Sequence, residues 1–315
     1  MTELVRDDVL GNGFKSMDLL HSDDYEGKVK SVLVFRPTDL DSSKAILYVH
    51  GYIDYFFQEE LADHFNKWGF NFYAVDLRKY GRAMMPHQRP NYTRRIDEYF
   101  EDIDAAIEQI KVDGNTEMIL MGHSTGGLIS SLYMNKVKDD YIKALLLNSP
   151  FFELNFPKTT RRFLPLFMLF GKYFQNMRVN ILPENYPQSL HKDYKGEWDF
   201  NIKWKPIVNY PMYFTWLRAI RKGHIELQSG LDIKVPILVM YSDKSYKKSN
   251  WSDDIRVSDG VLDVKHIAKY ADLIGKDVTK IEVVDAIHDM ILSKKKVRDR
   301  VYTEMFNWIK LKGLV

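Results

Sequence analysis

Residues 118–134 read MILMGHSTGGLISSLYM. Residues 118–121 are a short, continuous apolar run, the pattern of a strand buried on both faces. Gly122-His123-Ser124-Thr125-Gly126 follows, and then a stretch with helical spacing. A serine in a G-x-S-x-G turn between strand and helix sits on a sharp, strained elbow. Small residues are needed on both flanks, the hydroxyl is presented, and the helix start aims backbone N–H groups at developing negative charge. The pentapeptide alone is common by chance, and the strand–turn–helix frame is what gives it meaning. It marks Ser124 as a candidate nucleophile and predicts an α/β fold.

The rest of the chain fits that frame. Short apolar runs at 32–35, 45–49, 72–75, 118–121, 144–147, 237–241 and 281–284 read as strands. Stretches at 57–68, 96–112, 127–138, 264–274 and 294–310 read as helices. In 96–112, Ile96, Phe100, Ile103, Ile107 and Ile110 make one apolar face. Strand–helix alternation of this kind predicts a mostly parallel, doubly wound sheet. Residues 1–150 and 232–315 are expected to form its core. Residues 151–231 break the rhythm: they are rich in Phe, Tyr, Trp, Leu and Pro, with no convincing buried strand. A structureless loop that long is improbable in a compact domain, so a helical cap is expected there, inserted after the sixth strand. Phe163, Phe167 and Phe170 recur at helical spacing and read as cap packing or an acyl-chain wall. Residues 246–258 form a second, polar insertion.

Composition narrows the function classes. The chain has 315 residues, enough to bury roughly three quarters of its unfolded surface. Lys plus Arg number 45 and Asp plus Glu 43, a net charge of +2, which gives no support to nucleic-acid binding. The absence of cysteine excludes disulfides, thiolate catalysis and cysteine-based zinc sites, and fits a reducing compartment. The N-terminal stretch has acidic residues and no apolar core of a signal peptide, and the run FLPLFMLFG is too short to span a bilayer, so a cytoplasmic protein is expected. No metal-binding H-E-x-x-H or phosphate-binding G-x-x-x-x-G-K-S occurs, and no cofactor or metal is expected.

A nucleophilic serine needs a base, and His288 alone among nine histidines lies between a final apolar strand and a C-terminal helix. That loop falls on the carboxyl edge of the sheet, the same edge as Ser124. His123 is adjacent to Ser124 in a tight turn and cannot also face the site, and His50 is expected to pack its own loop. The histidine in turn needs a carboxylate to fix its tautomer. Asp243 and Asp259 both follow the strand PILVMYS, and chain order admits either. The oxyanion would be held by the Thr125 amide, after the nucleophile, and by the Tyr52 amide in the His50-Gly51-Tyr52 loop after an early strand.

These segments (HGYIDYF, YAVDLRKYGRA, GHSTGG, VPILVMYSDKS and DAIHDM) resemble the α/β-hydrolase superfamily. Within it they are similar to serine hydrolases of the monoacylglycerol lipase and lysophospholipase type, the serine aminopeptidase S33-like group. The family's D-x-R-G-x-G-x-S segment is altered here, with Lys79 at the first glycine and Ala83 at the serine. The insertion lies where the family carries its cap. The resemblance implies about thirty residues between acid and histidine. Asp259 is 29 residues before His288 and Asp243 is 45, so it selects Asp259. HGYI lacks an HGGG run, which implies ordinary esters rather than those of tertiary alcohols. The expected function is hydrolysis of a small carboxylic ester with an apolar acyl group. Thioester or peptide cleavage by the same residues, or a non-catalytic ligand-binding relative, are the alternatives.

Overall fold

Along strand β4 (Lys44–Val49), Ala45, Leu47 and Val49 face one side of a sheet and Ile46 and Tyr48 the other, all fully buried. That two-sided burial comes from helices on both faces. The computed structural model describes residues 4–156, 163, 169, 172–180 and 183–315. Its other sheet strands are β1 (Arg6–Asp7), β2 (Lys15–Leu20), β3 (Lys30–Arg36), β5 (Asn71–Asp76), β6 (Glu117–His123), β7 (Ile142–Asn148), β10 (Ile237–Ser242) and β11 (Val278–Val283). Among the described residues, these nine strands join in one sheet in the order β1-β2-β3-β5-β4-β6-β7-β10-β11. In that order every pairing from β5 to β11 is parallel, and β1, β2 and β3 add antiparallel pairings at one edge.

Helices α1 (Glu59–Lys67) and α7 (Lys295–Leu311) cover one face through Leu61, Phe65, Val301, Met305 and Trp308. Helices α2 (Phe100–Val112), α3 (Thr125–Lys136) and α6 (Val264–Tyr270) cover the other through Ile103, Ile107, Leu128, Leu132 and Ile267. The 96–112 stretch is helical as expected but starts as a 3-10 turn, Ile96–Tyr99. The structure differs from the sequence reading at the β2 edge, whose alternating KSMDLL pattern was too polar to read as a strand. The final strand also begins three residues early, at Val278, where it pairs with Ile237.

The long insertion separates β7 from β10. With β1 and β2 at the N-terminal edge, neither of them among the runs read from sequence, seven strands precede the insertion rather than six. Its described parts include strands β8 (Arg178–Val179) and β9 (Met212–Tyr213), paired antiparallel, and helices α4 (Asn185–Leu190) and α5 (Phe214–Gln228). Irregular turns connect them, so the described part is less helical than expected. Phe163 is exposed; Phe167 and Phe170 lie outside the described residues.

The altered Asp76–Ala83 loop is intact. Asp76 accepts from the Phe56 amide at 3.0 Å and the Arg82 amide at 2.9 Å. Lys79 takes the left-handed conformation suited to glycine, with φ +66°. Its fully buried ammonium lies 2.7 Å from Asp24 and 2.6 Å from Glu26, ion pairs a glycine would lack.

Helix α5 carries a buried histidine. The Nε2–H of His224 donates to the Phe151 carbonyl at 2.8 Å, and burial holds its pKa down to about 4. An unfolded histidine titrates near 6.5, so between these values the unfolded chain binds the extra proton. Stability should therefore fall as pH drops from about 6.5 towards 4, by up to about 3 kcal/mol from this group. Urea unfolding of wild type and His224→Gln at pH 7.5 and pH 5 checks this: the wild type should lose markedly more stability than the variant.

Candidate active site

Ser124 sits between β6 and α3 with φ +52° and ψ −118°, a strained conformation for a side-chain-bearing residue. The flanking sequence makes the turn possible. A Cβ on Gly122 would lie 2.6 Å from the Gly126 carbonyl oxygen, and one on Gly126 would lie 2.3 Å from that of Val49. Both glycines of G-x-S-x-G are thus required by backbone approach. The Ser124 amide donates to the Asn148 carbonyl at 3.0 Å, tying the elbow to the end of β7.

The Ser124 hydroxyl lies 2.9 Å from His288 Nε2. His288 Nδ1 lies 2.9 Å from Asp259 Oδ2. A carboxylate only accepts, so Nδ1 carries the proton and Nε2 is free to accept from the serine. The other Asp259 oxygen accepts from the amides of Val261 at 2.8 Å and Leu262 at 2.7 Å. Asp259 is fully buried, and Ser124 and His288 nearly so. The expected serine, acid and base are therefore in hydrogen-bonded sequence.

Asp243 does not reach the histidine. Its carboxylate accepts from the Asp285 amide at 2.8 Å, fixing the turn after β11. His50 accepts from the Leu77 amide at Nε2, 3.0 Å, as a loop-packing residue should. His123 Nδ1–H donates to the Asn148 carbonyl at 3.1 Å, and burial lowers its pKa. Tyr52 and Thr125 both border the cavity above Ser124, and Thr125 opens α3, where the first helical amides have no intrahelical partner.

The sequence reading missed a second polar layer. Asp289, beside His288 in the chain, turns away and accepts from Asn148 at 2.7 Å and Gln58 at 3.0 Å. Its amide donates to the Tyr186 hydroxyl at 2.9 Å. Asn148, a polar residue closing the apolar run of β7, was the one available signal. Asp54 and Lys205 form a buried ion pair at 2.6 Å. Burial pushes the Asp54 carboxyl up, but the Lys205 ammonium and two nearby imidazoles outweigh this and hold its pKa below the ordinary value. Among the described residues, Asp54, His123 and Asp289 bring potential metal-binding atoms within 4.8 Å of one another. Lys205 occupies one of these carboxylates and two side-chain amides occupy the other, a donor set suited to an ion pair rather than a cation.

A cavity of about 760 Å³ opens above Ser124 and His288. The core contributes Tyr52 and Ile53. The long insertion contributes Phe151, Leu154, Tyr186, Met212 and Trp216, and the loop before Asp259 contributes Ser245 and Lys247. Apolar surface predominates in the wall, and polar side chains such as Asp54, Lys205, Asn155 and His266 are set among it. Ile53 is left-handed at φ +50°, a conformation that costs a β-branched residue about 1–3 kcal/mol.

A nine-stranded, mostly parallel sheet with a serine elbow and a histidine–aspartate pair at its carboxyl edge defines an α/β hydrolase. The family model described as serine aminopeptidase, S33, matches residues 41–245, and the chain belongs to that family. The match includes Ser124 and stops short of Asp259 and His288. Monoglyceride lipase from Saccharomyces cerevisiae, solved with a substrate analog, is similar at TM-score 0.66 and 17% identity, over 94% of this chain and 96% of that one. Monoacylglycerol lipase from Paleococcus ferrophilus is similar at TM-score 0.60 and 18% identity, over 85% and 94%. An esterase from Pyrococcus furiosus is similar at TM-score 0.54 and 17% identity, over 94% and 92%. At these identities the likeness is one of fold. No curated protein matches the sequence. Among the described residues, no helix is long and apolar enough to cross a membrane.

Proposed function

We propose that the protein is a serine hydrolase cleaving carboxylic esters through an acyl-enzyme on Ser124. The observation that carries the reading is the hydrogen-bonded chain Ser124–His288–Asp259 at the floor of a largely apolar cavity. His288 takes the serine proton as Oγ attacks the ester carbonyl, and Asp259 stabilises the imidazolium that forms. The Tyr52 and Thr125 amides hold the oxyanion. His288 then protonates the leaving alcohol, and a water that it activates releases the acid. The chemistry calls for no metal or cofactor.

Residues 151–231 act in this reading as a cap whose apolar side chains receive the acyl group. The substrate class is that of a lipase, esterase or lysophospholipase. The absence of cysteine is consistent with work in the cytoplasm. Charge balance favours a small-molecule ester over a nucleic acid as partner.

Graded p-nitrophenyl esters test the acyl assignment. KM should fall about fourfold per added CH₂ until the cavity is filled, corresponding to roughly 0.8 kcal/mol each. A KM indifferent to chain length would remove the apolar-acyl reading. An amide series in parallel tests peptidase activity: ester turnover should exceed amide turnover.

A further inference from the structure

The loop that carries Tyr52 is strained, and the groups that grip it come from the long insertion. Ile53 follows Tyr52 directly and holds φ +50°, in the left-handed region that favours glycine. A β-branched side chain does not stay there unless its surroundings fix it. Two contacts bracket it. On one side the Tyr52 ring lies 3.9 Å, centroid to centroid, from Trp216 of α5. On the other, the carboxylate of Asp54 pairs with Lys205 at 2.6 Å, with both side chains at least nine-tenths buried. Trp216 is itself 1% exposed, so neither grip is a loose surface contact.

We infer that the insertion holds the oxyanion loop in its strained form, with Lys205 and Trp216 as positioning residues acting through Asp54 and Tyr52. The inference rests on the proposed role of the Tyr52 amide. A relaxed Ile53 would reorient the Tyr52–Ile53 and Ile53–Asp54 peptide units, and Tyr52 would shift with them, carrying its own amide, which lies in the preceding Gly51–Tyr52 unit, off the oxyanion. Substrate binding draws on the whole cavity, whereas oxyanion contact matters most in the transition state. Loosening either grip should therefore lower kcat more than it changes KM.

Lys205→Met alone would strand the buried Asp54 carboxylate. The pair is therefore replaced together, as Asp54→Asn with Lys205→Met. Its kcat should fall about 10- to 100-fold, less than or near the loss of a whole oxyanion donor, with KM within about threefold. Lys205→Arg, which keeps the ion pair, should retain most of the activity. The decisive arm is Ile53→Gly, since glycine takes left-handed φ without penalty. Added to the paired replacement, it should bring kcat to within about threefold of Ile53→Gly alone. Trp216→Leu should show the same dependence on residue 53. Melting temperatures are measured throughout, because a merely structural ion pair would lower stability and kcat alike in both backgrounds. The inference is overturned if the paired replacement leaves kcat unchanged, or if the loss is as large in the Ile53→Gly background as with Ile53 in place. Wild-type protein without ester turnover or Ser124 labelling overturns the functional reading itself, and this inference with it.

Discussion

Ser124→Ala is expected to lower ester turnover by about 10⁴- to 10⁶-fold while the chain still folds. The substitution removes only the hydroxyl, whose partner is His288 Nε2 at 2.9 Å. What shapes the elbow is the close backbone approach at Gly122 and Gly126 and the hydrogen bond from the residue 124 amide to the Asn148 carbonyl, and none of these needs the hydroxyl. The residual rate is what the oxyanion donors and binding supply alone. Turnover of a p-nitrophenyl ester and the melting temperature are read on the same samples. A folded variant with near-wild-type turnover would mean another nucleophile.

Asp259→Asn should cost up to about 10⁴-fold in kcat, with little change in fold. The reason is tautomeric. The Asp259 carboxylate accepts the His288 Nδ1 proton on one oxygen and two backbone amides on the other. An asparagine that keeps its oxygen on the Val261 and Leu262 amides must turn its NH₂ towards Nδ1. Nδ1 then has to accept, the proton moves to Nε2, and Nε2 can no longer take the serine proton. Asp243→Asn offers the control. Its oxygen can still accept from the Asp285 amide, and no bond to His288 is at stake, so kcat should stay within about tenfold of wild type. Loss of activity in Asp243→Asn with retention in Asp259→Asn would reverse the assignment.

The elbow was legible because its constraints are local. A buried strand, two glycines and a following helix lie within one short stretch of chain. His288 was legible from its place after the last strand. The carboxylate partner of His288 was only half legible: chain order left Asp243 and Asp259 equivalent, and the resemblance chose between them. Geometry supplies the physical reason: the polar insertion closes into a loop that returns Asp259 beside the end of β10, where its amide donates to the Lys244 carbonyl at 2.9 Å. There the Tyr246 amide donates to the Asp259 carbonyl at 2.7 Å.

The second polar layer was not legible because its partners are far apart in sequence. Gln58 meets Asp289 from 231 residues away, and Lys205 meets Asp54 from 151. Neither pairing has a periodic or compositional signature. The β2 strand was missed for a different reason. It stands near the sheet edge, where a strand needs little continuous apolar sequence. Within the insertion, aromatic content did not separate helix from irregular turn.

The most direct test of the account is covalent. A fluorophosphonate probe reacts with a serine whose hydroxyl is activated by an adjacent base, and leaves its phosphonyl group on Oγ. Intact-mass and peptide mapping should find one adduct, on the peptide carrying Gly122-His123-Ser124-Thr125-Gly126, absent in Ser124→Ala and strongly slowed in His288→Ala. No adduct on the folded wild-type protein, or an adduct on a different residue, would contradict it.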